Sequence, residues 1–360
     1  MTKQRPPTEY TASIMSGRQH GMALLTVLFI LVLLSTLAVY TAEDENIAIR
    51  RAQNQRDAEQ SRQVALAGEQ WVMSALKRDL LSAPQGVDYA GDEWALLQSE
   101  SVQIEDGQMA VQAQDESGKF NLNNLMSGKE IQSAATTTPT LVLSPWYKYF
   151  IRLLNSVGLD EELADAVIDW VDADDQRTEP DGAEDATYRT AEPPYLTANQ
   201  PFSSIAELTL VAGFGEAEVA ALEPYVTALP VTTAADQSGK ASEQPVFTRI
   251  NVNTAPDLVL QSLDVTPIDG VLLTNVLQSR QVTPYTETSA LYRDLLIGLD
   301  ADEFAQLVDV KSDYFVAQSC ARFGRVDYAQ QSLLKRDAAA QEVFVLSRQR
   351  RYNCGVIVTP

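Results

Sequence analysis

The feature that most constrains this chain is the stretch Met22–Ala42, "MALLTVLFILVLLSTLAVYTA", which holds no Asp, Glu, Lys, Arg or His and is closed by Glu43. At about 1.5 Å per residue, a helix of that length crosses the hydrocarbon core of a bilayer. Lys3, Arg5 and Arg18 precede it against a single acid, Glu9. Basic flanks stay on the cytoplasmic side, so everything after the apolar run is expected on the other side of the membrane.

On these residues three readings stay open. A secretory signal peptide has a shorter apolar core and a small-residue cleavage site, and "AVYTAEDEN" offers no clean A-x-A-like site. A plain signal anchor would remain uncut. In the third reading the cut lies before the apolar run, between Gly21 and Met22, where "GRQHG" meets "MALLTVLFILVLL". That arrangement resembles the type IV prepilin and pseudopilin signature.

The apolar run does not end the helix. From Glu43 to Leu81 there is no Pro, and the only Gly is Gly68. Val64, Ala67, Trp71 and Ala75, with Val72, Leu76 and Leu80, recur at helical spacing. Residues 22–81 would form one rod of about 90 Å, membrane-spanning to about residue 42, whose second half packs on a globular head. The face of Val64, Ala67, Trp71 and Ala75 is expected to receive smaller partners. Beyond it, "SVQIEDGQMAVQAQDESGKF" has two alternating runs around Asp106-Gly107, a strong hairpin signal. Alternation returns only in "SDYFVAQSCARFG", "RVDYAQQSLLKR" and "EVFVLSRQRRYN".

Between these parts, residues 120–310 read as helical. The expected fold is α+β: a leader (1–21), the long helix (22–81), a small antiparallel β head split into 82–119 and 311–360, and an inserted all-α domain (120–310). Inside the insert, "KFNLNNL" is echoed by "RINVNTAPDLVLQSL", and three segments share a short-helix, glycine, helix rhythm. This is the look of helix-hairpin-helix or SAM-like bundles.

Net charge is −22, which opposes nucleic acid and anionic lipid and suits divalent cations or basic partners. The only histidine is His20, so the exported part has neither a Ser-His-Asp or Cys-His site nor His-ligated zinc. An enzyme is therefore not expected. Cys320 and Cys354 lie past the exported boundary in strand-like sequence, where an oxidising compartment permits a disulfide; two separate thiols are the alternative, and the two are expected to pair.

The densest chemistry is "DWVDADDQRTEPDGAEDATY". Between Asp160 and Asp185 stand twelve acids and one base, Arg177. Such runs are ordinarily solvated loops. Here apolar anchors flank the run, and Asp172, Asp174, Asp175, Glu179 and Asp181, with Gly182 at a sharp turn, offer the hard oxygens that Ca²⁺ takes. The spacing is not that of an EF-hand. A second possibility, DNA binding at the Gly213-Phe214-Gly215 hairpin, meets Glu216 and Glu218 where phosphate would approach.

Together the leader-Gly-apolar helix, the split β head, "FNLNNL", "DWVDADD…DGAEDATYR", "PPYLTANQPFSSIAEL" and "INVNTAP" resemble the K-type minor pseudopilins of type II secretion. The resemblance implies a pilin-like head and a structural role. A prepilin peptidase would cut after Gly21 and methylate the new amino terminus at Met22. The protein would be single-pass in the inner membrane, amino terminus cytoplasmic before cleavage and head periplasmic. At the pseudopilus tip it would join the I- and J-type minor pseudopilins, above the major pseudopilin and the inner-membrane secretion platform. The family's calcium binding carries over to Asp172, Asp174, Asp175, Glu179, Asp181 and Asp185 as candidate ligands for one or two structural ions. Thr26 stands where most pilins have a Glu that pairs with the subunit above, and the K family lacks that Glu. The alternatives are a helix-hairpin-helix DNA-binding or uptake membrane protein and a signal-anchored periplasmic Ca²⁺-binding protein.

Overall fold

The computed structural model describes residues 20–82, 86–97, 101–133, 140–235, 241–264, 268–351 and Cys354. Most of the leader (residues 1–19) lies outside them. Helix α1 (His20–Ser82) runs unbroken for 63 residues, about 95 Å. Residues 22–56 are exposed throughout, and only then does one stripe become buried: Ser61, Ala65, Gly68, Glu69, Val72, Ala75, Leu76 and Asp79. Steps of three and four keep these on one face.

That stripe packs on a five-stranded antiparallel sheet of β1 (Val102–Ile104), β2 (Gly107–Asp115), β3 (Tyr314–Phe323), β4 (Val326–Asp337) and β5 (Glu342–Arg351), adjacent in that order. Val72, Ala75 and Leu76 meet Val111, Ala113, Phe315, Ala317 and Leu334 in one core. Gly68 allows the close approach, since a Cβ there would lie 2.6 Å from Val111 Cγ1. Glu69, inside the contact, accepts from Arg348, Ser332 and Gln330. The expected partner face on α1 is therefore divided. Ala67 and Trp71 are exposed and Val64 is half-buried, but Ala75 turns into the head's own core.

The hairpin forms one residue earlier than expected. Glu105 and Asp106 make the turn, Glu105 with φ 46. Gly107 opens β2 against the Phe323 ring, where a Cβ would sit 2.5 Å from it. Cys320 on β3 is disulfide-linked to Cys354, just past β5, with Cα atoms 5.6 Å apart.

The chain leaves the sheet after Asp115 and returns at Tyr314, on the neighbouring strand. The insert is largely helical but not wholly so, because among the described residues four short two-stranded ladders accompany its helices. Two of them frame a duplication. Phe120–Asn121 pairs in parallel with Val226–Thr227, and Ile250–Asn251 with Val308–Asp309. In each half the strand runs into an Asn-x-Asn pair. Asn121 accepts from the amide of Asn123, and Asn251 from that of Asn253. The second Asn then clamps a distant peptide through both its N–H and C=O: Asn123 holds Phe202, and Asn253 holds Tyr285. The sequence echo between "FNLNN" and "INVNT" is thus a shared piece of architecture. Both halves share one apolar core around Phe120, Tyr149, Phe150, Leu208, Leu260 and Leu291.

Candidate metal centre

Helices α2 (Pro145–Val157) and α3 (Leu163–Val171) belong to the first half, and the acidic loop leaves α3 at Asp172. Its two ends are anchored by aromatic packing: Trp170 lies 5.4 Å from Tyr188, and Tyr188 lies 5.2 Å from Tyr195. Lys129 donates to Asp165 Oδ2 and to the carbonyl of Glu179, tying the loop to the body of the domain. Arg177, the only base in the run, donates to the carbonyls of Pro180 and Gly182 and folds the loop on itself. Asp169 Oδ1 accepts from the amide of Thr178. Gly182 is needed for space, since a Cβ there would lie 2.2 Å from Asp169 Oδ2.

These constraints bring Asp172, Asp174 and Glu184 together, each with a carboxylate oxygen within 4.8 Å of the others. Asp169 Oδ2, Asp172 Oδ1, Glu184 Oε1 and Asn199 Oδ1 are buried and have no hydrogen-bond partner among the described residues. Buried acceptors are normally satisfied. Burial, followed by the charges of Asp174, Asp169 and Glu184, pushes Asp172 up to about 7. Burial also raises Asp169 and Glu184. Carboxylates crowded in this way favour the protonated form unless a cation shares their oxygens. The donor set is all oxygen, which fits a hard cation such as Ca²⁺ and not a thiolate- or imidazole-seeking metal.

The remaining sequence candidates are not members of this cluster. Asp175 accepts from the Asn199 side chain. Asp185 is paired with Arg189 and accepts from the amide of Thr197. Glu179 meets Lys129 through its backbone carbonyl, and the amide of Asp181 bonds Asp165. Glu184, Asp169 and Asn199 were not singled out by sequence. Asp169 did carry a signal, an acid set among Val167, Ile168, Trp170 and Val171 on a helix destined for burial.

Elsewhere, Gly21 and Met22 lie within α1, and Thr26 is exposed with its hydroxyl donating to the carbonyl of Ala23. At the Gly213-Phe214-Gly215 hairpin the amide of Gly215 is bonded by Glu218 Oε2 at 2.9 Å. The group a phosphate would need is already held by an acid.

A helix that is apolar over a bilayer's length at its start and laid on an antiparallel sheet at its far end, with a helical domain inserted between neighbouring strands, defines an anchored, pilin-like subunit with an enlarged head. The family model described as type II secretion system protein K matches residues 118–231, the first half of the insert. Type II secretion system protein K of Klebsiella pneumoniae is 32% identical over 346 residues, covering 94% of this chain and 98% of that protein. The Pectobacterium carotovorum protein of that name is 31% identical, covering 93% and 97%. The chain belongs to the type II secretion system protein K family. Its fold is similar to a chain in the crystal structure of the GspK-GspI-GspJ complex of enterotoxigenic Escherichia coli, with TM-score 0.67 and 24% identity, covering 84% of this chain and 100% of that one.

Proposed function

We propose that this chain is a non-enzymatic minor pseudopilin that caps the pseudopilus tip together with I- and J-type partners, with its head in the periplasm and residues 22–42 in the inner membrane. The observation that carries the reading is the division of α1: residues 22–56 are exposed, while the stripe from Ser61 to Asp79 is buried against the head. The exposed part is free for membrane and neighbouring helices, while the head is fixed to its far end. Thr26 gives no carboxylate for an amino terminus above, as suits a subunit with nothing stacked on it. An unpaired acid costs roughly 2.5–3.5 kcal/mol at the helix centre on insertion scales, and less near the end of the span where Thr26 stands. The insert would also have to fit between neighbours at every step of a homopolymer.

Mixing the head with I- and J-type heads should give a 1:1:1 species by light scattering, while this head alone stays monomeric. Immunogold label along the whole filament would overturn the cap. Replacing Gly21 by Leu should leave the uncut form in the membrane, because a large side chain fills the room the prepilin peptidase needs. Normal-sized mature protein from that variant would refute processing at Gly21–Met22.

The acidic loop is proposed to hold structural Ca²⁺ through Asp172, Asp174 and Glu184, with Asp169 and Asn199 supplying further oxygens. The unpartnered buried oxygens support this. When bound, the ion supplies charge neutralisation that the loop's own residues lack.

A further inference from the structure

Strand β5 is the last strand of the sheet and, among the described residues, pairs only with β4. The opposite edge, β1, has three residues, whereas β5 has ten, and Leu346–Arg351 are exposed throughout. A long free edge offers unpaired backbone N–H and C=O groups to any further strand. Arg348, Arg350 and Arg351 stand along it. Arg348 is paired with Glu69, Arg350 lies over the Tyr328 ring at 5.2 Å, and Arg351 donates to Gln331. Neither Arg350 nor Arg351 has an acidic partner among the described residues.

This is the reverse of the rest of the chain. Residues 120–310 carry 29 acidic against nine basic side chains, while residues 311–360 carry four against eight. Charges on an edge strand can serve simply to prevent self-pairing. Like arginines do repel a second copy of β5, but the same charges attract a strand bearing carboxylates. At the other end of β5, Phe344 and Leu346 are 47% and 43% exposed. An in-register row of neutral amides, Gln112, Gln318, Gln331 and Gln349, crosses the sheet and ends at this edge. An added strand would continue it.

We propose that β5 docks an acidic, extended segment of another protein, which joins the head as a sixth strand by β-augmentation. The probe is a labelled ten-residue peptide alternating Val and Glu, offered to the full chain in detergent. Two companions are used, one with Lys for Glu and one N-methylated on alternate backbone amides. The Glu peptide should bind and slow amide exchange across residues 343–351. Arg350→Glu with Arg351→Glu should weaken it by about tenfold or more and make the Lys peptide the better ligand. The N-methylated peptide should fail, because it keeps the charge and lacks the ladder donors. No slowed exchange at β5, indifference to the charge reversal, or equal binding of the N-methylated peptide overturns the proposal.

Discussion

Asn123 and Asn253 grip Phe202 and Tyr285 in the same manner, and each half of the insert closes with a parallel two-residue ladder. The halves differ in the segment that links a helix to the clamped peptide. In the first, residues 172–201 form the acidic loop. In the second, only residues 280–284 separate the helix Gly270–Ser279 from Tyr285. Arg280 fills the junction there, buried, and donates to the carbonyls of Val252 and Ala255. Burial lowers its pKa to about 10, as it raises the carboxylates of the first half. Desolvation opposes either charge. The second half answers it with backbone carbonyls around its own cation. The first leaves oxygens without a partner, which is why a bound cation is proposed there alone.

The clamps should give the largest effects. Asn123→Ala removes partners from the Phe202 N–H and C=O and from the Leu229 carbonyl, all around a buried side chain. It is expected to cost about 3–4 kcal/mol, and Asn253→Ala, which frees only the two Tyr285 groups, about 2–3 kcal/mol. Urea midpoints of the two variants test the order. A larger loss at Asn253 would break the comparison.

Calcium should come next and act on one half only. At a hundredfold excess over Kd, a ligand of the folded state alone adds about 2.7 kcal/mol. Thermal melting with Ca²⁺ and with chelator measures the total, and amide exchange locates it. Exchange should slow across residues 172–201 and stay unchanged across 280–309. Gly182→Ala should abolish the effect, because its Cβ falls on Asp169 Oδ2. A uniform response of both halves would break the distinction, and no response would leave a plain acidic loop.

Glu69, in the head, is the control outside both halves. Burial would raise its pKa, but the Arg348 guanidinium, the Ser332 hydroxyl and the Gln330 amide outweigh it and hold it below the ordinary value of 4.5. A depressed folded pKa contributes stability that is complete above that ordinary value and fades as pH falls through the folded one. Glu69→Gln should cost about 1–2 kcal/mol near neutral pH, discounted because Arg348 is half exposed. Denaturant midpoints should show the difference from wild type steady from pH 8 to about 5 and shrinking below. A difference that grows on acidification would refute this role.

Much of the frame is legible in the chain alone. The charge-free run before Glu43, the alternation of 314–323, 326–337 and 342–351, and the crowding of acids after α3 are local patterns, fixed by helix and strand periods and by the exclusion of charge from apolar surroundings. Those periods are properties of the backbone, so no other part of the molecule need be known to read them. The tertiary structure decided the rest. It chose which stripe of α1 is buried, because Gly68 lets the helix sink onto Val111 and turns Ala75 inward. It brought Glu184 within reach of Asp172 and Asp174 and left single oxygens of Asp169, Asp172, Glu184 and Asn199 without partners among the described residues, while Lys129, Arg177 and Arg189 engage other parts of the loop. It also joined Asn123 to Phe202 and Asn253 to Tyr285 across gaps that no local pattern spans. Burial and hydrogen-bond satisfaction depend on what arrives from elsewhere in the chain, and that is settled only when the whole core closes.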